Sequence, residues 1–311
     1  MAKIIDVLNE RLKQDERFFS FEYFPPRTDD GLANLKPRLK RMQSYGPLFC
    51  DITWGAGGTT SDLTMDIATY MQQEVGMRTM MHLTCTNMPV EKLSAALSAA
   101  KAAGIRNILA LRGDPPAGQS SFEAVEGGFA SGLDLVRHIR QEHGDWFCIA
   151  VAGYPEAHPD VIVEDEAGMA TNYESDLDYL KRKVEAGADL IVTQLFYDVD
   201  QFLRWRDDVR SKGVTVPILP GIMPIVSAAG FKRMTSFCKT RIPEEVRAAL
   251  DACGDDEAAV KAFGVKLGSD MCRRLLAAEV PGLHMYTLNQ ETACKAILVE
   301  LGLLREGEEG R

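Results

Sequence analysis

The chain has 311 residues, 46% hydrophobic and 26% charged, a composition that buries a large core and excludes a disordered or fibrous class. A formal net charge of -10 and a sequence pI near 5.1, with no basic run or tail, exclude a nucleic-acid or anionic-membrane surface and point to a small-molecule partner. Seven scattered cysteines without a C-x-x-C pair, and five histidines without ligand spacing, predict reduced core thiols and no metal site. The N-terminus lacks an apolar signal core and no window approaches the roughly twenty apolar residues of a membrane span, so cytoplasmic residence is expected.

In chain order, a short amphipathic helix over 4–14 precedes an aromatic run at 18–24, where period two puts Phe19, Phe21 and Tyr23 on one face and Phe18, Ser20, Glu22 and Phe24 on the other. Pro25 and Pro26 end the pairing, leaving Glu22 at the C-terminal lip of the strand. Further strands are predicted over 48–54, 79–85, 108–113, 147–154, 190–197, 218–223 and 283–288. Helices are predicted over 31–44, 61–75, 90–103, 132–142, 173–186, 199–211, 228–240 and 291–301. Asn87 before Pro89 fits a helix cap, and Gly104, Gly187 and Gly213 fit helix C-terminal glycines.

Strands such as Ile149-Ala150-Val151-Ala152 are continuously apolar, as parallel strands covered on both faces are. Eight strand-helix units with no linker between halves predict a single-domain (β/α)8 barrel over 1–311, with a helical insertion at 243–278 and a frayed charged tail at 305–311. Catalytic groups of such barrels gather where strands end. The polar residues there are Glu22, Thr53, His82, Thr84, Arg112, Asp114, Tyr154, His158, Gln194, Tyr286 and Asn289. The glycine cluster at 55–60 is no dinucleotide fingerprint, because Thr60 stands where the third glycine of G-x-G-x-x-G belongs.

Nine blocks in order resemble the methylenetetrahydrofolate reductase family, in its short bacterial catalytic form. They are FSFEYFPPRT at 19–28, DITWGA at 51–56, HLTC at 82–85, LRGDPP at 111–116, AGYPEAHP at 152–159, LKRKVEAGA at 180–188, TQLFYD at 193–198, PGIMP at 220–224 and YTLN at 286–289. The resemblance implies a FAD-dependent barrel enzyme that interconverts 5,10-methylenetetrahydrofolate and 5-methyltetrahydrofolate by hydride transfer through the flavin, with NADH or NADPH as partner nucleotide. Self-association into a homo-oligomer is left open.

Carried over by position, the resemblance makes Glu22 the general acid that protonates folate N10, and Asp114 the aspartate between flavin and pterin. An acid must hold its proton near neutral pH, and the Phe-rich strand around Glu22 is read as the poorly hydrated setting that allows this. Thr53, Trp54, Ala56, His82, Arg112, Gly113, Gly132, Ala152, Tyr154 and His158 match flavin-contacting positions. Asp176, Tyr179, Arg182 and Lys183 match positions near the ribityl and diphosphate part, while Gln194, Tyr286 and Gln290 match the folate and nucleotide pocket. Four departures from the pattern stand out: Ser131-Gly132 for Tyr-Ala, Tyr179 for Asn, Gln290 for Arg and Gly230 for Gln. Because the last two bear on folate and nucleotide binding, an enzyme working mainly in the oxidative direction stands as one alternative. A non-catalytic folate-binding barrel stands as another.

Overall fold

A computed structural model of the chain describes residues 1–55, 61–115 and 122–304. Its strands are β1 (Phe18–Tyr23), β2 (Cys50–Ile52), β3 (Thr79–Thr84), β4 (Asn107–Leu111), β5 (Cys148–Gly153), β6 (Leu190–Leu195), β7 (Ile218–Ile222) and β8 (Gly282–Tyr286). They close in chain order into a barrel, and the parallel registers include Glu22 beside Asp51 and Asp51 beside Met80. The fold is the expected (β/α)8 barrel. The helices are α1 (Ile4–Lys13), α2 (Asp29–Gln43), α3 (Ser61–Tyr70), α4 (Val90–Ala102), α5 (Gly132–His143), α6 (Glu166–Glu185), α7 (Val199–Ser211), α8 (Ala228–Phe237), α9 (Glu244–Cys253), α10 (Glu257–Ala277) and α11 (Thr292–Glu300). The insertion expected at 243–278 is thus two helices, α9 and α10. The tail expected at 305–311 lies outside the described residues.

By contact density the chain divides into two units, Met1–Ala152 with Arg182–Ile191, and Gly153–Lys181 with Val192–Gly307. In the first, α1 is anchored by polar bonds as well as by Ile4 and Leu8: the Ile4 amide donates to Asn107 Oδ1 at 2.7 Å, and Asn107 Nδ2 donates to the Thr79 carbonyl at 3.0 Å. Because Thr79 and Asn107 open β3 and β4, this helix sits at the strands' N-terminal ends and leaves the C-terminal ends to the chemistry. Apolar faces drive the outer layer, as where Leu133, Leu135, Val136 and Ile139 of α5 are all buried. In the second unit, Gly264 of α10 lies so close to the Ile225 carbonyl that no side chain fits between them.

Local chemistry explains where the expected boundaries moved. Thr28 caps α2 by accepting from the Gly31 amide at 3.1 Å, ending the proline turn after β1. Asn87 is not a cap: it has φ +54°, and Pro89 occupies the N-cap position of α4 with no side-chain bond. The predicted helix at 61–75 ends as α3 at Tyr70 and continues as a single π turn, Met71–Val75. Gly104, Gly187 and Gly213 have φ of +77°, +114° and +84°, as helix-ending glycines require. Six cysteines are buried and all seven are free thiols. Burial pushes Cys85, Cys272 and Cys294 up to about 12, so these thiols stay protonated and inert.

Candidate active site

In the first unit, Glu22, Asp51 and His82 come together from three adjacent strands, β1, β2 and β3. His82 Nε2 lies 3.1 Å from Asp51 Oδ2 and 3.6 Å from Glu22 Oε2. The side chain of Glu22 is 20% exposed, that of His82 6%, and Asp51 is wholly buried, so the acid alone of the three has an open side. Their ligand atoms all fall within 4.8 Å of one another, a spacing able to hold a cation that the sequence pattern did not foretell.

The geometry adds polar neighbours to the aromatic setting expected for Glu22. Phe19, Phe21 and Tyr23 line the opposite face, tilted and edge to face with centroid distances of 5.2 and 6.5 Å, and the Tyr23 hydroxyl reaches Met42 Sδ of α2 at 3.3 Å. Phe24, on the face of Glu22, is 41% exposed. Alternation therefore sends the rings toward the helix layer, and the carboxylate meets a histidine and a second carboxylate.

The ends of β3 and β4 are tied together around Gly113. Thr86 Oγ1 donates to the Arg112 carbonyl at 3.2 Å and to the Asp114 carbonyl at 3.0 Å, and the Cys85 amide donates to the Arg112 carbonyl at 2.9 Å. Gly113 has φ +90°, and a Cβ there would lie 2.5 Å from Thr86 Oγ1 and 2.8 Å from Thr84 Cβ, so only glycine fits. Asp114 is exposed just beyond, and Arg112 lies over the Phe122 ring at 5.1 Å. Thr53 is fixed at the end of β2 through its amide to the Tyr23 carbonyl at 2.9 Å, and its own carbonyl accepts from Thr64 Oγ1 at 3.1 Å. Lys183 is not on a solvated helix face: it is 5% exposed and donates to the Ala152 carbonyl at 2.7 Å. Arg182 beside it is exposed. Ser131, one of the departures, caps α5 by accepting from the Asp134 amide at 3.2 Å, and Gly132 lies against the end of β4. Ala56 lies outside the described residues.

A flat, polar cofactor fits these residues. Trp54 Nε1 and Thr84 Oγ1 are buried with no hydrogen-bond partner among the described residues, and a ligand carrying ring donors and acceptors would satisfy them. Arg182 and Lys183 would supply the cations a diphosphate needs.

In the second unit, Tyr154 and His158 meet edge to face at 4.7 Å, and His158 Nδ1 accepts from the Asp160 amide at 3.2 Å. Asp176 and Tyr179 are half-buried on α6, three residues apart and so on one face of the helix. Gln194 turns its carbonyl onto the Leu195 amide at 2.9 Å, and the Gln290 amide donates to the Thr287 carbonyl at 2.8 Å. The Tyr286 hydroxyl donates to the Thr193 carbonyl at 2.5 Å. Gly230, another departure, donates its amide to Ser227 Oγ at 3.1 Å in the cap of α8.

Two residues escaped the sequence pattern. Asp51 could have been flagged as a charge inside the apolar stretch Leu48-Phe49-Cys50-Asp51-Ile52. Glu156 lies between Tyr154 and His158, with Oε2 accepting from the Arg241 amide at 2.7 Å and Oε1 buried with no hydrogen-bond partner among the described residues. Lys239 Nζ adds a second tie, to the Pro159 carbonyl at 2.7 Å. Burial pushes Glu156 up from the ordinary 4.5 to about 7, the Arg241 amide opposes this and the Asp198 charge adds to it. The folded chain therefore holds this proton more tightly than the unfolded one between about pH 4.5 and pH 7, so stability falls as pH rises through that window. Glu156→Gln removes that loss: urea unfolding at pH 5 and pH 8 is expected to show the variant gaining ~1–3 kcal/mol on the wild type at the higher pH. An equal difference at both pH values would refute the assignment.

The family "Methylenetetrahydrofolate reductase" matches residues 7–302. The "Probable methylenetetrahydrofolate reductase (NADH)" of Oryza sativa subsp. japonica is 57% identical over 99% of this chain and 52% of its own length. The "5,10-methylenetetrahydrofolate reductase" of Escherichia coli is 36% identical over 96% of each chain. The chain thus spans about half the length of the plant relatives it matches, and its identity to them exceeds that to the short bacterial form expected from the motifs. Among solved structures, a protein from Clostridium thermocellum that binds two copies of 5-methyl-5,6,7,8-tetrahydrofolic acid has a TM-score of 0.63 at 13% identity, covering 94% of this chain and 97% of that one, a likeness of fold. Among the described residues no helix is long and apolar enough to cross a membrane. On the family match and these identities, the chain belongs to the methylenetetrahydrofolate reductase family.

Proposed function

We propose that the chain is a flavin-dependent methylenetetrahydrofolate reductase, converting 5,10-methylenetetrahydrofolate to 5-methyltetrahydrofolate with NADH as the electron source. The observation that carries this reading is the placement of Glu22 near the C-terminal end of β1, its side chain 20% exposed while its neighbours His82 and Asp51 are buried. A carboxylic acid there can give its proton to folate N10, which opens the five-membered ring to an iminium able to accept hydride. FAD, when bound, supplies that hydride transfer. Within the first unit Thr53, Trp54, Thr84, Gly113, Arg182 and Lys183 would hold it. Asp114, exposed beyond Gly113, hydrogen-bonds the pterin and stabilises the cationic iminium through its fixed negative charge. Gln194, Tyr286 and Gln290 are assigned to folate and nucleotide binding.

NADH is favoured over NADPH because the relatives at 55–57% identity carry NADH in their names, whereas the Caenorhabditis elegans relative named for NADPH is 37% identical. Rapid mixing of the oxidised, yellow protein with NADH, NADPH and 5-methyltetrahydrofolate in turn tests this. NADH is expected to bleach the flavin fastest. Bleaching by the methylated folate alone would reverse the assigned direction, and a colourless protein that binds folate would overturn the reading. A second check is Asp114→Asn: removing a negative charge beside the ring favours the reduced flavin anion, so the midpoint potential is expected to rise. An unchanged or lower potential counts against the assigned position of Asp114.

A further inference from the structure

Asp51 has no part in the chemistry above, yet it is a fully buried carboxylate on a strand of three residues whose other members are Cys50 and Ile52. Burying a carboxylate costs several kcal/mol unless a donor faces it. His82 Nε2 lies 3.1 Å from Asp51 Oδ2, and the same nitrogen lies 3.6 Å from Glu22 Oε2.

An ionised carboxylate only accepts hydrogen bonds, so a ring nitrogen this close to it must carry the hydrogen. An Nε2 that carries a hydrogen has no lone pair left for the proton of Glu22. Without Asp51, the neutral imidazole could place its hydrogen on Nδ1 instead. Nε2 would then face Glu22 as a base at close range and compete with folate N10 for the same proton.

We infer that Asp51 is a positioning residue that holds His82 with its hydrogen on Nε2, so that the proton of Glu22 is directed to the substrate rather than to the histidine. The inference rests on the reading of Glu22 as the acid. The three groups also have cation spacing, so the test must separate a hydrogen on Nε2 from a metal ion.

The experiment uses the flavin-loaded protein with 15N-labelled histidine, and the His82 signals are assigned by their loss in His82→Gln. The wild type is expected to show a protonated Nε2 and a bare Nδ1, unchanged after EDTA treatment. Asp51→Asn, whose amide can turn either its oxygen or its nitrogen to the ring, is expected to lower the share of that tautomer. Asp51→Ala is expected to lower it further, and should that variant fail to fold, Asp51→Asn carries the test alone. In single-turnover mixing the folate step is expected to slow roughly tenfold or more, with flavin reduction by NADH within about twofold of wild type. A hydrogen on Nδ1 in the wild type, a signal that moves with EDTA, an unchanged folate step, or equal slowing of both steps would each overturn the inference. Should Glu22→Gln itself leave the folate step intact, the acid reading fails, while the tautomer measurement still reports whether Asp51 holds the ring.

Discussion

Glu22→Gln is expected to slow the folate step by roughly 10²–10⁴-fold while flavin reduction by the nicotinamide stays within a factor of a few. Glutamine keeps the length of the side chain and an oxygen that can face His82 Nε2 at the 3.6 Å now spanned by Glu22 Oε2, so the strand end keeps its shape. What it lacks is a transferable proton. Nicotinamide oxidation delivers hydride to the flavin with no need of an acid at N10, and that half of the cycle should survive. Stopped-flow absorbance of the two half-reactions, each in single turnover, makes the separation. Equal loss in both would mean that the residue holds the site together rather than donating a proton.

The second large effect is expected at Gly221 of β7. Its amide donates to Thr193 Oγ1 at 3.0 Å, while the Tyr286 hydroxyl donates to the Thr193 carbonyl. A Cβ built on Gly221 falls 2.5 Å from Tyr286 Cε2 and 2.7 Å from its hydroxyl, and it also collides with the Thr193 carbonyl. Neither strand backbone nor a hydrogen-bonded ring can yield cheaply. Gly221→Ala is therefore expected to cost ~1–3 kcal/mol or more in urea unfolding and to expel Tyr286 from its position. If Tyr286 forms a wall of the folate pocket, the Michaelis constant for folate rises with it. A variant as stable as wild type, with folate binding unchanged, would show that Tyr286 can move without consequence.

The barrel was legible because each level of the chain agrees with the next. Strand and helix alternate through eight units in one direction, and helix-ending glycines at positive φ mark many of the joints. Glu22 was legible for the same reason, since the proline pair after it marks a strand end. Its polar neighbours are not legible in the same stretch, because Asp51 and His82 come from β2 and β3, far along the chain. Asp51 was missed because a three-residue strand carries too little pattern to say which way its middle residue points. That orientation is settled by the neighbouring strands, through the register that sets Asp51 beside Glu22. Lys183 reads as a solvated lysine at the end of a polar helix, and only the closeness of the Ala152 carbonyl makes it a buried one. Glu156 belongs to the same category, since its partner Arg241 is 85 residues away.

The buried amine of Lys183 also gives this chain an internal clock. Acylating reagents attack free, accessible amines, and one that is 5% exposed and bonded to the Ala152 carbonyl reacts only after the end of β5 has parted from α6. Its labelling rate, followed by mass spectrometry against that of exposed lysines, counts those partings one by one. Any ligand that settles over the end of β5 should slow the count.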